Sequence, residues 1–351
     1  QRQMCIRDRA STEELSRVMA LCHEHRQTIV PWGGLSGLVN GITCAAEDIV
    51  ISLERMGEIE HLDADAGTLT VQSGAILQHV QEAAADAGWL FAVDFGARGS
   101  AQIGGMIGTN AGGNSVVRYG MMREQVLGLE AVMADGTIVS SMNEMLKNNA
   151  GYDIKHLFIG SEGTLGIVTR AVLRLRPAPR TVQTAFVALG SFADVAGLLR
   201  QLGTDLEGKL SSFEVMWRNH YHYLTEETGK HQAFLPTNYP YYVLLESEGS
   251  DADREEELFL RVLGGLMESG HVADAVIAQS SQQAAQLWEM RDDVETLVHN
   301  ISPIAIFDVS LPIREMEAYV SGLEADLQEQ FPAARLIAFG HLGDGNIHLG
   351  V

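Results

Sequence analysis

Basic residues are scarce in this chain: 24 Lys and Arg stand against 46 Asp and Glu, a formal charge of −22. Gripping phosphate backbones takes a concentrated basic surface, so neither nucleic acid nor an anionic membrane is the expected partner. Cysteines are few too. Cys5, Cys22 and Cys44 lie far apart with no CxxC, which excludes a zinc ribbon, an iron–sulfur run and a disulfide framework. A reduced, cytoplasmic setting is the natural expectation. No run of 18 or more apolar residues occurs, so no membrane span is expected. Two nucleotide signatures are also missing. Neither GxGxxG nor GxxxxGK followed by Ser or Thr appears, which disfavours a nicotinamide Rossmann domain and a P-loop NTPase.

What is present is a chain of 351 residues, 46% hydrophobic and 20% charged, able to bury two cores. It divides at the prolines Pro177 and Pro179. Residues 1–178 hold 22 of the 36 glycines and a charge of 14 − 20 = −6; residues 179–351 hold 14 glycines and a charge of 10 − 26 = −16. Residues 1–9 read as a non-native leader and are set aside, leaving domains at 10–178 and 179–351. The first opens with a helix over 11–27 capped by Ser11 or Thr12, then strands near 28–31, 48–53, 59–62 and 68–73 and an alanine-rich helix at 75–87. Asp135-Gly136 between two apolar runs predicts a hairpin. In the second half, strands near 182–188, 212–216, 241–246, 304–310 and 335–340 alternate with helices at 192–202, 252–269, 282–299 and 314–330. The class is α+β, and that order suits a ferredoxin-like sheet with helices laid on it.

Three glycine clusters mark the first half: Pro31 to Gly41, Gly99 to Gly113 and Gly160 to Gly166. Glycine admits positive φ and close backbone approach, and successive N–H groups then form an anion nest. Hydroxyls of Ser36, Ser100 and Thr109 and the Asn110 amide can add hydrogen bonds to a pyrophosphate. Any one cluster is explained by tight turns; three with Thr-Asn-Ala-Gly-Gly among them point to a shared ligand. Backbone binding also lets an acidic protein hold a pyrophosphate without a lysine cluster.

The segments GTNAGGNSVVRYG (108–120), VLGLEAVMADG (126–136) and NAGYDIKHLFIGSEGTLGIVT (149–169) resemble the flavin domain of vanillyl-alcohol-oxidase-type FAD oxidoreductases. Within these, the chain is most similar to FAD-linked D-2-hydroxyacid dehydrogenases acting on D-lactate, D-2-hydroxyglutarate or glycolate. The resemblance runs over 10–351. It implies a two-subdomain FAD-binding (PCMH-type) domain followed by a ferredoxin-like substrate (cap) domain. It also implies FAD held by Pro31, Gly33, Gly34, Leu35, Ser36, Gly37 and Leu38, and by Gly99, Ser100, Gly104, Gly105, Thr109, Asn110, Gly112 and Gly113. Gly163, Gly166, Ile167 and Val168 would lie on the adenine side. The family loop is nearer PxGGNTGxxGG; here Leu35 replaces a polar residue and Ser36 a threonine, keeping the hydroxyl.

The chain closes with Gly340-His-Leu-Gly-Asp-Gly-Asn-Ile-His-Leu-Gly-Val351. On spacing alone His341 and His348 are ordinary structural histidines; the family's GHxGDGNxH motif makes them ligands of a divalent metal, zinc or manganese. Its third ligand, a glutamate, and a histidine base would fall beyond Val351. Arg291 alone reads as a solvated helix arginine beside Asp292 or Glu295; the family's WxxR position makes it the grip on the substrate carboxylate. The chain departs from 2-hydroxyglutarate enzymes at Glu295, Ile306 and Gly350, where those carry threonine, lysine and asparagine, leaving another D-2-hydroxyacid open. The 218–223 stretch reads as a helix start or loop, Glu214 as a polar anchor, and the 251–257 acidic run as solvated helix turns.

The expected activity is therefore oxidation of a D-2-hydroxyacid to the 2-oxoacid by hydride transfer to flavin N5. The metal would assist at the hydroxyl, and Arg291, His341 and His348 would carry the site. Electrons would pass to a quinone, a cytochrome or an electron-transfer flavoprotein, with peripheral membrane contact only through that acceptor; homodimerisation is left open. Two alternatives are a non-catalytic FAD-binding subunit of a larger oxidase and a metal-free FAD oxidase of sugars or alcohols.

Overall fold

The computed structural model describes residues 10–37, 40–301 and 303–351, together with the backbone of 5–8. It forms two compact units, residues 1–113 with 119–178, and residues 114–118 with 179–351.

The first unit holds a small parallel sheet and a larger antiparallel one. The small sheet has the order β1-β3-β2, from Cys5–Asp8 (β1), Ile29–Trp32 (β2) and Ile49–Ser52 (β3). Setting residues 1–9 aside as a leader put β1 outside the fold; here its backbone runs parallel to β3 from Cys5↔Ile49 to Asp8↔Ser52. Helix α1, Thr12–Glu24, starts where the Ser11 hydroxyl accepts the Glu14 N–H at 3.2 Å. Its buried stripe of Leu15, Met19 and Cys22 packs on Ile51, Leu53, Met56, Val132 and Ile167.

The larger sheet has the order β4-β5-β9-β7-β8. Its members are Ile59–Asp63 (β4), Thr68–Gln72 (β5), Val126–Met133 (β7), Ile138–Ser141 (β8) and, at its centre, Gly166–Arg174 (β9). The Asp135-Gly136 hairpin joins β7 to β8, with Gly136 at φ +87° and Asp135 Oδ1 accepting the Thr137 N–H at 2.9 Å. Within this sheet β9 is the strand that sequence pattern missed. Buried on both faces, its GIVTRAVLR has no alternation to reveal it. Two-residue strands β6 (Trp89–Leu90) and β10 (Arg176–Pro177) pair with each other. Helices α2 (Leu77–Asp86) and α3 (Ile103–Thr109) bury Leu77, Val80, Ala84, Ile103, Met106 and Ile107 in this unit's main core. Short helices α4 (Val116–Tyr119), α5 (Met122–Gln125) and α6 (Lys155–Phe158) complete the first half.

The second unit is one seven-stranded antiparallel sheet, β14-β11-β13-β12-β16-β17-β15. Strands Thr181–Leu189 (β11), Leu210–Trp217 (β12), Tyr241–Gly249 (β13) and Asp274–Ile277 (β14), with helices Phe192–Asp205 (α7) and Ala252–Glu268 (α9), give a ferredoxin-like βαββαβ in the order 4-1-3-2. Ile306–Ser310 (β15), Ile337–Gly340 (β16) and Asn346–Gly350 (β17) extend it. Both faces are covered. Val187, Val215, Val243 and Leu245 point to α7, α9 and α12 (Ile313–Gln330), while Phe186, Met216, Tyr242 and Leu244 point the other way. That second face meets α8 (Arg218–His222), which runs into a π-helical turn at Tyr223–Glu227. The helix expected over 282–299 is two helices, α10 (Ser281–Arg291) and α11 (Val294–Asn300). Asp293 breaks it: its carboxylate accepts the Thr296 N–H at 3.1 Å and starts a new helix instead of continuing the old one.

Candidate functional site

The three glycine clusters meet in the first unit. Strand β2 ends at Trp32 and the loop after it lies against the loop that leads into α3. A Cβ on Gly33 would sit 3.3 Å from Gly105 Cα, and one on Gly34 only 1.8 Å from the Ser100 carbonyl oxygen. Gly163, at φ +78°, touches Pro31: a Cβ there would be 2.6 Å from Pro31 Cγ. Backbone bonds from Gly160 N–H to Ile107 O (3.0 Å) and Glu162 N–H to Gly108 O (2.8 Å) tie the third cluster to the second. Gly104 and Gly113 are likewise held against Ser73 and Asp94, where a Cβ would come within 2.7 and 2.4 Å.

Packing therefore accounts for Gly34, Gly104, Gly113, Gly163 and Gly166. It does not account for Gly37, whose Cβ would meet nothing within 4 Å among the described residues, nor for Gly105 and Gly108, whose nearest described neighbours would lie 3.7 and 3.9 Å away. Nor does positive φ, which none of the three has. Open space over glycines in a backbone cradle is what close approach of a phosphate requires, and it fits the pyrophosphate of FAD.

Other expected contacts are partly committed. The Thr109 hydroxyl donates to Gly105 O at 3.0 Å, and Asn110, left-handed at φ +49° beyond the end of α3, accepts the Arg123 N–H at 2.9 Å. Ser100 Oγ donates to Ala97 O at 3.3 Å, while Leu35 is left-handed at φ +55° and exposed. Gly99 and Gly112 lie in the loops flanking α3. Ile167 and Val168 point their side chains into the cores, so only their backbone can serve a ligand. Leu38 lies outside the described residues.

In the second unit Arg291, His341 and His348 are brought together around Glu214. The glutamate stands in mid-strand on β12, 1% exposed, and accepts from both Arg291 Nη2 and, at 2.7 Å, His341 Nδ1. Arg291 closes α10 with its side chain 5% exposed, and its Nη1 donates to Asp292 at 3.0 Å. Its guanidinium lies 5.5 Å from the centre of the Phe339 ring. His341 directly follows β16, the 3-10 turn Leu342–Asp344 and Gly345 (φ +85°) reverse the chain, and β17 carries His348 back opposite Phe339. The two imidazoles stand 5.0 Å apart between centroids, nearly perpendicular at 88°. His348 Nδ1 faces Asp308 Oδ1 at 3.6 Å, and Asp308 also accepts from Asn346 Nδ2. Val117 backs the turn, 3.1 Å from where a Cβ on Gly343 would lie.

Electrostatics follow from burial and these partners. Burial opposes ionisation of Glu214, but Arg291 and His341 outweigh it and hold the carboxyl below its usual range. Burial likewise works against the Arg291 charge, and Glu214 and Asp292 more than offset it. Burial pushes His348 down, against Asp308, and raises Asp344 to about 6. Beneath the cluster His220 is fully buried, stacked on Phe339 at 4.3 Å, with neither ring nitrogen bonded to any protein group; burial drives it down to about 3. Among the described residues no three His, Cys, Asp or Glu side chains gather as a metal set. His341 and His348 supply two donors, one short of the usual minimum.

Glu214 is more than the polar anchor the sequence suggested. Asp308 and Phe339 were not singled out at all, while His220 entered only within the 218–223 stretch and Asp344 only within the closing Gly-Asp-Gly turn. A lone carboxylate inside the apolar run LSSFEVMW was the available signal, because a buried charge requires a partner. Of the three departures, Ile306 and Gly350 are direct cross-strand partners on β15 and β17, and Glu295 is solvent-exposed on α11.

Comparison with known proteins bears on the fold and the family. Residues 6–141 match an FAD binding domain and residues 178–351 the C-terminal domain of FAD linked oxidases. The chain is 38% identical over 347 residues to a D-2-hydroxyglutarate dehydrogenase of Xanthomonas citri pv. viticola, covering 97% of this chain and 71% of that protein. It is 34% identical to the mitochondrial D-2-hydroxyglutarate dehydrogenase of Arabidopsis thaliana, covering 97% and 60%. To a Schizosaccharomyces pombe protein whose name places it among mitochondrial D-lactate dehydrogenases it is 35% identical, covering 97% and 66%. The chain thus spans about three fifths to two thirds of the length of several of these relatives. Among solved structures, alkyldihydroxyacetonephosphate synthase shares the fold at TM-score 0.76 and 18% identity, covering 98% of this chain and 70% of that one. p-Cresol methylhydroxylase does so at 0.71 and 15%, covering 99% and 74%. The matches over 6–141 and 178–351, together with a relative 38% identical and covered over 71% of its length, place the chain in the family of FAD-linked D-2-hydroxyacid dehydrogenases.

Proposed function

We propose that this chain is the FAD-binding and substrate-binding part of an enzyme that oxidises a D-2-hydroxyacid to the 2-oxoacid. The observation that carries the reading is a cluster in the second unit: Arg291 and His341, 50 residues apart in sequence, both bond the buried Glu214, and His348 stands 5.0 Å from His341 between ring centroids. FAD, when bound in the glycine cradle, supplies the acceptor for the C2 hydride. The residues of the chain bind and orient. Arg291 is the cation for the substrate carboxylate. Asp292, 25% exposed, is the partner a carboxylate can displace from Nη1, whereas Glu214 is locked in place. His341 and His348 present ring nitrogens for the hydroxyl, and Phe339 packs against His348 and shields the guanidinium.

A zinc or manganese ion, if held here, takes its two nitrogen donors from His341 and His348 and supplies Lewis-acid polarisation; a further ligand has to come from elsewhere. The electron acceptor in this reading is a quinone, a cytochrome or an electron-transfer flavoprotein. No helix among the described residues is long and apolar enough to cross a membrane. The cytoplasmic setting rests on the small number of cysteines, far apart and without a CxxC; names of the Arabidopsis and yeast relatives place those proteins in mitochondria.

The test is substrate affinity in the full-length protein. Arg291→Lys keeps the charge but loses the planar fork, so KM for the hydroxyacid is expected to rise at least tenfold, about 1.4 kcal/mol. An unchanged KM removes Arg291 from the substrate.

A further inference from the structure

We propose that Glu214 is a positioning residue that fixes which nitrogen of His341 carries the hydrogen, leaving the lone pair on Nε2. It rests on His341 being a site residue, as above, but its test reads the ring itself.

The argument starts from donor inventories. An ionised glutamate only accepts hydrogen bonds, and arginine only donates. Glu214 has one oxygen on Arg291 Nη2 and the other 2.7 Å from His341 Nδ1. Nδ1 must therefore be the donor, and the lone pair of the neutral ring is at Nε2. Arg291 does not claim that lone pair. Its Nη2 lies 3.3 and 3.5 Å from the two ring nitrogens, almost equidistant, and so sits on the lone-pair axis of neither. At 1% exposure Glu214 has no water to turn to, so both bonds are enforced. The strand frame holds the geometry: Val215 pairs with Gly340 and Met216 with Phe339, which keeps position 214 beside His341 at the end of β16.

Arg291 and Glu214 also neutralise each other, so the site gains an oriented imidazole without an uncompensated buried charge. Nothing else in the cluster can do this for His341. Asp344 meets it through the backbone, its N–H bonded to His341 O at 3.1 Å, and Asp308 faces His348 instead.

Replacing the carboxylate by an amide predicts a specific change. In Glu214→Gln, Arg291 cannot accept, so the single Gln oxygen must take Arg291 and the NH2 must face His341 Nδ1. The imidazole then has to accept at Nδ1 and carry its hydrogen on Nε2. Two-bond proton–nitrogen NMR of uniformly labelled protein reads this directly, with His341 identified by the peaks lost in His341→Gln. Expected is a protonated-type Nδ1 and bare-type Nε2 in wild type, with the two resonances interchanged in Glu214→Gln. Glu214→Asp, which keeps the carboxylate, should retain the wild-type pattern. A merely structural glutamate would lower stability and leave the hydrogen where it was. Hydrogen on Nε2 in the wild-type spectrum overturns the proposal whether or not the variant folds, and an unchanged ring in a folded Glu214→Gln overturns it equally. Neither result bears on whether the full-length protein oxidises a hydroxyacid.

Discussion

Replacing Arg291 with methionine isolates the energetic role of the buried ion pair. Methionine is of similar length and keeps a favourable contact with Phe339, whose ring centre lies 5.5 Å from the guanidinium. What is lost is charge. Asp292, 25% exposed, can rehydrate, but Glu214 at 1% cannot and keeps only His341. Breaking a buried pair from one side costs about 3–5 kcal/mol. With a urea dependence of about 2 kcal/mol/M, the midpoint of the second unit should fall by roughly 1.5–2.5 M. The double variant Arg291→Met with Glu214→Leu removes both charges, leaving His341, 17% exposed, to bond water. It should recover to within about 1 kcal/mol of wild type, as apolar replacements of buried pairs do. Fluorescence-monitored urea unfolding of the four proteins of the cycle measures both numbers. A cost below about 1 kcal/mol for Arg291→Met, the level of a surface pair, would refute the reasoning. So would a double variant whose loss equals the sum of the singles.

Gly34→Ala and Gly37→Ala should differ in kind. The first drives Cβ to 1.8 Å from a backbone oxygen and is expected to destabilise the apoprotein, whereas the second meets nothing and should leave apo stability within about 0.5 kcal/mol while lowering flavin affinity. Apo melting and FAD titration compare them; unaltered FAD affinity in Gly37→Ala would show that the cofactor does not pass there. His220→Phe substitutes an apolar ring of similar shape for one with two unbonded nitrogens and should leave stability unchanged or raise it; an unfolding free energy lowered by more than about 1 kcal/mol in urea melts would mean a buried water serves that histidine. Burial works against the charge of Asp293, but His231, Lys230 and Thr296 outweigh it and hold its carboxyl well below the ordinary range. A carboxyl depressed in the folded state contributes stability that is complete above its unfolded pKa, near 3.9, and lost as pH falls through the folded one. Asp293→Asn should therefore be weaker at pH 7, by about 1–2 kcal/mol including the lost helix cap, and flatter below about pH 4. Superimposable acid limbs in pH-dependent urea melts would contradict this.

Where the chemistry was local, the sequence was readable. Ser11 capping α1, the Asp135-Gly136 hairpin and the alternation of helices and strands behind the ferredoxin-like order rest on short-range rules, although that order's last strand, β14, was not among the strands expected. The glycine clusters were visible too, but not which glycines serve the fold and which the ligand, because that depends on loops about 50 to 130 residues apart in sequence meeting in space. Strand β9 was hidden because burial on both faces erases period-two alternation. The division of the 282–299 helix was hidden because Asp292 and Asp293 look like surface residues until His231, Lys230 and Arg291 are seen to engage them. Glu214 had the same difficulty. A carboxylate acquires its role from partners 77 and 127 residues away, and no local pattern encodes them.

The most direct test of the account is anaerobic mixing of the FAD-loaded, metal-supplemented full-length protein with paired D- and L-2-hydroxyacids while the visible flavin band is followed. The account predicts that at least one D-2-hydroxyacid bleaches the flavin with a matching yield of 2-oxoacid and that its L-enantiomer does not. A fully loaded protein whose flavin stays oxidised with every D-2-hydroxyacid, or bleaches equally with both enantiomers, would contradict it.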